Sequence, residues 1–85
     1  MSITSPYRAI TVRCEVVALD RAYRALRAFE PMLTNKLFDE QTRELMVMAD
    51  FTDIPREQID RQVEVILAAL EEAGCHRIGA RLEGS

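Results

Sequence analysis

The stretch Pro55–Gly74, PREQIDRQVEVILAALEEAG, decides how the rest of the chain reads. Ile59, Val63, Ile66, Leu70 and Ala73 recur at alternating spacings of four and three, which keeps them on one stripe of an α-helix. Glu57, Asp60, Arg61, Glu64 and Glu71 fill the other side. Pro55 suits a first helical turn, where a missing N–H costs nothing, and Asp53 just before it is a capping acceptor. Gly74 ends the run, because glycine takes the left-handed conformation that follows a last turn. A helix of this length is marginal alone in water, so its stripe needs a surface to pack on.

Working outward, the flanking segments supply that surface. His76 to Leu82 alternates through Ile78, Ala80 and Leu82, with Gly79 marking a bulge or a close backbone approach. Glu44 to Phe51 alternates with Leu45, Val47, Ala49 and Phe51 on one face and Met46, Met48 and Asp50 on the other. Thr34 to Glu40 reads as a strand joined to it by a polar turn, with the facing of Leu37 and Phe38 open because only one of two adjacent residues turns inward. Ala9 to Val17 alternates as a further strand, with Ile10, Val12, Cys14 and Val16 facing one way and Thr11, Arg13, Glu15 and Val17 the other. Asp20 caps a helix running to about Phe29 or Glu30, inward through Ala22, Leu26 and Phe29 and stopped by Pro31. Ser2 to Pro6 is a polar lead and Glu83 to Ser85 a tail. The order strand, helix, strand, strand, helix, strand predicts an α+β, ferredoxin-like βαββαβ two-layer sandwich. Residues 1–85 form a single domain, with a four-stranded antiparallel sheet and both helices on one face.

Composition narrows the function classes. A chain of 85 residues supports one thin core, and self-association would reinforce it. The net charge of −3 disfavours nonspecific nucleic-acid binding, which needs a basic footprint. The charge is uneven: about seven basic against five acidic side chains up to Arg43, and about four against nine beyond it. The first helix is therefore expected to be basic and the second acidic, so that the two would attract each other if adjacent. No stretch approaches the roughly 18 apolar residues of a membrane span. Met1 to Ile10 has neither the basic start nor the apolar core of a secretion signal, and Cys14 and Cys75 are too few for a disulfide framework, which together predict a cytoplasmic protein with reduced thiols.

A sheet covered on one face leaves its reverse free. That reverse is predicted to carry Arg13, Glu15 and Val17 from the first strand, Met46, Met48 and Asp50 from the third, and Arg77, Gly79 and Arg81 from the last. Methionine and arginine are enriched in protein interfaces, and scattered charges suit a polar rim, so this face is the expected interaction surface, with a solvated face held by cross-strand ion pairs and a ligand surface as the alternatives.

Other constellations are weaker. Cys75 and His76 are adjacent, but on a strand they point to opposite faces and do not meet at one substrate atom, while a Cys75 placed in the turn would leave the geometry open; the spacing of a four-ligand metal site is missing. Cys75 is expected nearer Ala18 than Cys14, which makes a disulfide unexpected. Arg21, Arg24 and Arg27 form a ridge on the first helix, more simply solvated or paired than bound to phosphate. Asp50, Asp53 and Glu57 have no histidine near in sequence for acid–base work. The glycines are isolated, so no phosphate-cradling loop or other cofactor-binding pattern appears.

Asp20 and Arg21, following a first strand and opening a helix, are similar to the turn of ACT-type regulatory domains. That resemblance implies the same fold and amino-acid binding between paired domains. Where that family continues with proline and glycine, this chain has Ala22 and Tyr23, and the similarity spans a handful of residues.

The expected function is a non-enzymatic interaction or regulatory module that forms a homodimer or binds a protein partner through the open sheet face. Met46, Met48 and Val17 would supply apolar contact, and Arg13, Arg77 and Arg81 would fix orientation. The alternative is an enzyme or small-molecule binder whose dimer cleft gathers Arg13, Arg77, Arg81 and His76 around an anion, which the forked guanidinium donors suit.

Overall fold

The computed structural model describes residues 6–82; the expected tail and the polar lead before Pro6 lie outside the described residues. Strands β1 (Tyr7–Arg13), β2 (Leu33–Asp39), β3 (Glu44–Asp50) and β4 (His76–Leu82) form one antiparallel sheet in the order β2-β3-β1-β4. Helices α1 (Val16–Leu26) and α2 (Ile59–Glu72) are the crossovers of the two βαβ units. This is the predicted ferredoxin-like sandwich.

The core is aliphatic because each strand contributes its alternate residues. Ile10 and Val12 from β1 stand opposite Val47 and Leu45 from β3, and all four are fully buried. Every residue of the predicted α2 stripe is buried, and Leu67 joins it. Phe51, just past β3, is the largest fully buried side chain. Phe38 packs on this core, whereas Leu37 faces away and is 49% exposed, which settles which of the two turns inward.

α2 starts later and differently than predicted. Pro55 is extended (ψ 139°), a 3-10 turn occupies Arg56–Gln58, and Gln58 stands at the N-cap without a side-chain bond. Asp53 is therefore not the cap; Asp50 organises the entry loop by accepting from the Thr52 amide at 2.9 Å and from the Thr52 hydroxyl. The C-terminus is as expected. Gly74 has φ 106°, its amide donates to the Glu71 carbonyl at 3.0 Å, and the Cys75 amide donates to the Leu70 carbonyl at 3.0 Å, closing a Schellman motif.

The first crossover corrects the sequence reading most. β1 ends at Arg13, and α1 begins at Val16, with extended Glu15 as N-cap and the Ala18 amide donating to the Glu15 carbonyl at 2.9 Å. The alternation through Cys14, Val16 and Val17 imitates a strand, but Cys14 makes the last sheet-like bond, its amide donating to the Arg43 carbonyl at 2.7 Å. Ala18, Ala22 and Leu26 then recur at helical spacing and are buried, overriding the weak helix propensity of two valines. Asp20 is consequently inside α1, bonded to Arg24 at 2.7 Å, and caps nothing. The α-helix closes at Leu26 and a 3-10 segment, Arg27–Met32, carries Pro31 into β2.

Among the described residues no ion pair joins α1 to α2. A Cβ on Gly74 would stand 3.4 Å from the Cβ of Ala18. No helix among the described residues is long and apolar enough to cross a membrane.

Candidate functional site

The sheet face away from the helices is ordered by the strand register into rows. Nearest the β1–α1 turn, Asp39, Glu44, Arg13 and His76 lie side by side across β2, β3, β1 and β4. The next row is Leu37, Met46, Thr11 and Gly79, and the third is Asn35, Met48, Ala9 and Arg81. Tyr7 and Asp50 pair beyond it. An acid-to-base row thus borders two largely apolar ones.

β4 carries a bulge that redraws this face. Thr11 pairs with Gly79, but the next β1 residue, Val12, pairs with Arg77, so Ile78 is an extra residue. Gly79 has φ 157°, although a Cβ there would meet nothing within 4 Å; the backbone, and not space, favours glycine. The bulge reverses two expected facings. Ile78, predicted inward, is 49% exposed and lines the open face. Arg77, predicted on the open face, lies in register with core-facing Val12 and reaches α2, donating to both Glu64 carboxylate oxygens at 2.8 and 3.0 Å and to Glu71 at 2.9 Å. The hydrogen bonds to Glu64, then those to Glu71, raise its pKa above the ordinary value.

Of the expected site residues, Arg13, Met46, Met48, His76 and Arg81 lie on the open face. Arg77 does not, and neither does Val17, which is 84% exposed on the first turn of α1. Glu15 also leaves the face and forms an ion pair with Arg43 in the β2–β3 turn. Ile78 is the residue that sequence reasoning missed, and Gly79 was the one signal near it, whereas the facing of Leu37 was left open by its adjacency to Phe38. Together Ala9, Thr11, Leu37, Met46, Ile78 and Arg81 line a shallow trough of about 550 Å³. Its floor is low because the central strand β1 presents only Ala9 and Thr11 there, while its walls rise from Leu37 and Met46 on one side and Ile78 and Arg81 on the other.

The cysteines lie elsewhere. Cys14 and Cys75 are free, buried between the end of β1 and the start of β4, with their sulfurs 3.0 Å apart. The expected placement of Cys75 nearer Ala18 fails because β1 ends before Cys14 instead of running on to Val17. Burial pushes the Cys75 thiol up to about 12, helped by its hydrogen bond to Cys14 and opposed by the charge of Arg21. A thiol held protonated in this way is a poor nucleophile at neutral pH. Among the described residues no cluster of three or more His, Cys, Asp or Glu is arranged to hold a metal.

The Asp20–Arg21 pair that is similar to an ACT-type turn sits in the middle of α1, so that ligand-binding turn is missing where the resemblance placed it. No protein-family model matches the chain, and no curated protein resembles it in sequence.

Proposed function

We propose that this chain is a non-enzymatic interaction module that associates with a protein, in the first place another copy of itself, through the open sheet face. The observation that carries this reading is an apolar row across that face: Leu37 on edge strand β2 and Ile78 on edge strand β4, each 49% exposed, with half-buried Met46 between them on β3, on a surface that no helix among the described residues covers. A small domain gains by covering such a surface, and the charged row beside it suits an interface rim. Light scattering after size exclusion tests the reading. A dimer at high micromolar concentration that Met48→Glu converts to monomer is expected; a monomer throughout, unchanged by that substitution, overturns it.

A second reading is favoured by the trough itself, whose volume of about 550 Å³ is of ligand size. It would hold a small molecule with an apolar body and one anionic group facing Arg81. The anion-gathering cleft of three arginines is weaker than the sequence suggested, since Arg77 is engaged by Glu64 and Glu71 and Arg13 is outside the trough. In a thermal-shift screen of anionic metabolites, a true ligand at about 100 times its dissociation constant stabilises by about 2.7 kcal/mol. No shift in any well removes this reading.

A further inference from the structure

We infer that the partner of the open face is a second copy of this chain, related by a two-fold axis running along the strands between β1 and β3. The inference rests on the self-association reading above and specifies its register. A two-fold in that position turns each row over onto itself, so that β2 and β3 of one copy face β4 and β1 of the other. Each row is complementary to its own reversal. Asp39, Glu44, Arg13, His76 reversed sets Glu44 against Arg13 of the second copy and Asp39 against its His76. Leu37, Met46, Thr11, Gly79 reversed sets Leu37 beside Ile78 and Met46 over Thr11. Asn35, Met48, Ala9, Arg81 reversed sets Asn35 within reach of Arg81 and brings Met48 above the fully buried Ala9 position, against the side chains that cover it.

Size and charge thus agree. On the two central strands the larger Met46 and Met48 of β3 come opposite the smaller Thr11 and Ala9 of β1, and at the edges Leu37 of β2 comes beside Ile78 of β4. A two-fold across the strands does the opposite. It turns the charged row toward the far end of the sheet, where Glu44 approaches Asp50 of the second copy. The axis along the strands also keeps the two sheets aligned, a common geometry for face-to-face packing. Among the described residues neither the Glu44 carboxylate nor the Arg13 guanidinium is engaged in an ion pair.

Four strands about 4.8 Å apart, each of seven residues rising about 3.3 Å, make a face of roughly 450 Å² in projection. That is toward the small end of specific interfaces, the size class that holds weak and transient contacts.

The test is sedimentation equilibrium from about 1 to about 500 µM on the wild type, Glu44→Arg, Arg13→Glu and an equimolar mixture of the two variants. Each variant alone places like charges together at both symmetry-related contacts, and its self-association should weaken at least about 30-fold. The mixture should associate again, because every Arg at position 44 or 13 of one variant then faces a Glu of the other. Within either chain residues 13 and 44 also face each other across the sheet, but mixing leaves that repulsion untouched, so recovery reports on contact between copies. A wild-type dimer whose variants stay dimeric, or whose mixture does not recover, overturns this register while leaving the open-face reading to the Met48→Glu result. A wild type that is monomeric across the range overturns both. If a reversal variant fails a circular-dichroism check of its fold, Glu44→Gln replaces it. That variant should weaken association about 3- to 10-fold, and an unchanged constant counts against the register.

Discussion

The two faces of one sheet behave as different materials. Toward the helices, Ile10, Val12, Leu45 and Val47 are fully buried, and among the described residues no charged or polar residue is buried with them. Away from the helices, residues one position along the same strands are Thr11, Arg13, Met46 and Glu44. The difference teaches that the covered face supplies the apolar burial that stabilises the fold, whereas the open face contributes less of it.

Core truncation should break this comparison most visibly. Leu45→Ala or Ile66→Ala should each lower the unfolding free energy by about 2–5 kcal/mol in urea titrations, through lost burial and an unfilled cavity. Ile78→Ser should cost less than about 1 kcal/mol in the same titration, because the bulge has already turned Ile78 outward. A cost as large as that of Leu45 would mean that Ile78 is inside and the bulge wrong. Between these lies Gly74→Ala at about 1–2 kcal/mol, since any side chain there sits at φ 106° and close to Ala18. Arg77→Ala should act least, its pairs to Glu64 and Glu71 being on the surface, and its effect should vanish in high salt.

Cys75 sharpens the comparison by pH. Its folded pKa of about 12 lies above the ordinary thiol value of 9.0, so the folded state holds the proton more tightly. The stability contributed by that thiol is complete below about pH 9 and is lost as pH rises toward 12. Melting temperatures of the wild type should therefore fall more steeply above pH 9 than those of Cys75→Ala. Parallel curves would mean that the thiol is not in the apolar site beside Cys14.

Much of the architecture was legible because α2, β3 and the core side of β1 carry clean periodicities. Ile59, Val63, Ile66, Leu70 and Ala73 had no competing interpretation, and all are buried. The first crossover was misread because Cys14, Val16 and Val17 satisfy a period of two as well as they satisfy anything local; the deciding term is the burial of Ala18, Ala22 and Leu26, which only the packed molecule reveals. The candidate site was half legible. Arg13, Met46, Met48 and Arg81 followed from alternation alone, but one inserted residue in β4 inverted Arg77 and Ile78. Gly79 announced the irregularity without saying which neighbour would be displaced.

The most direct test of the account is to follow backbone amide shifts by NMR from dilute to near-millimolar protein. The account predicts concentration-dependent shifts concentrated at Ala9, Thr11, Leu37, Met46, Met48 and Ile78 to Arg81, with α1 and α2 unmoved. Shifts that appear instead around Val17 or Val65 on the exposed helix surfaces, or no shifts at all, would contradict it.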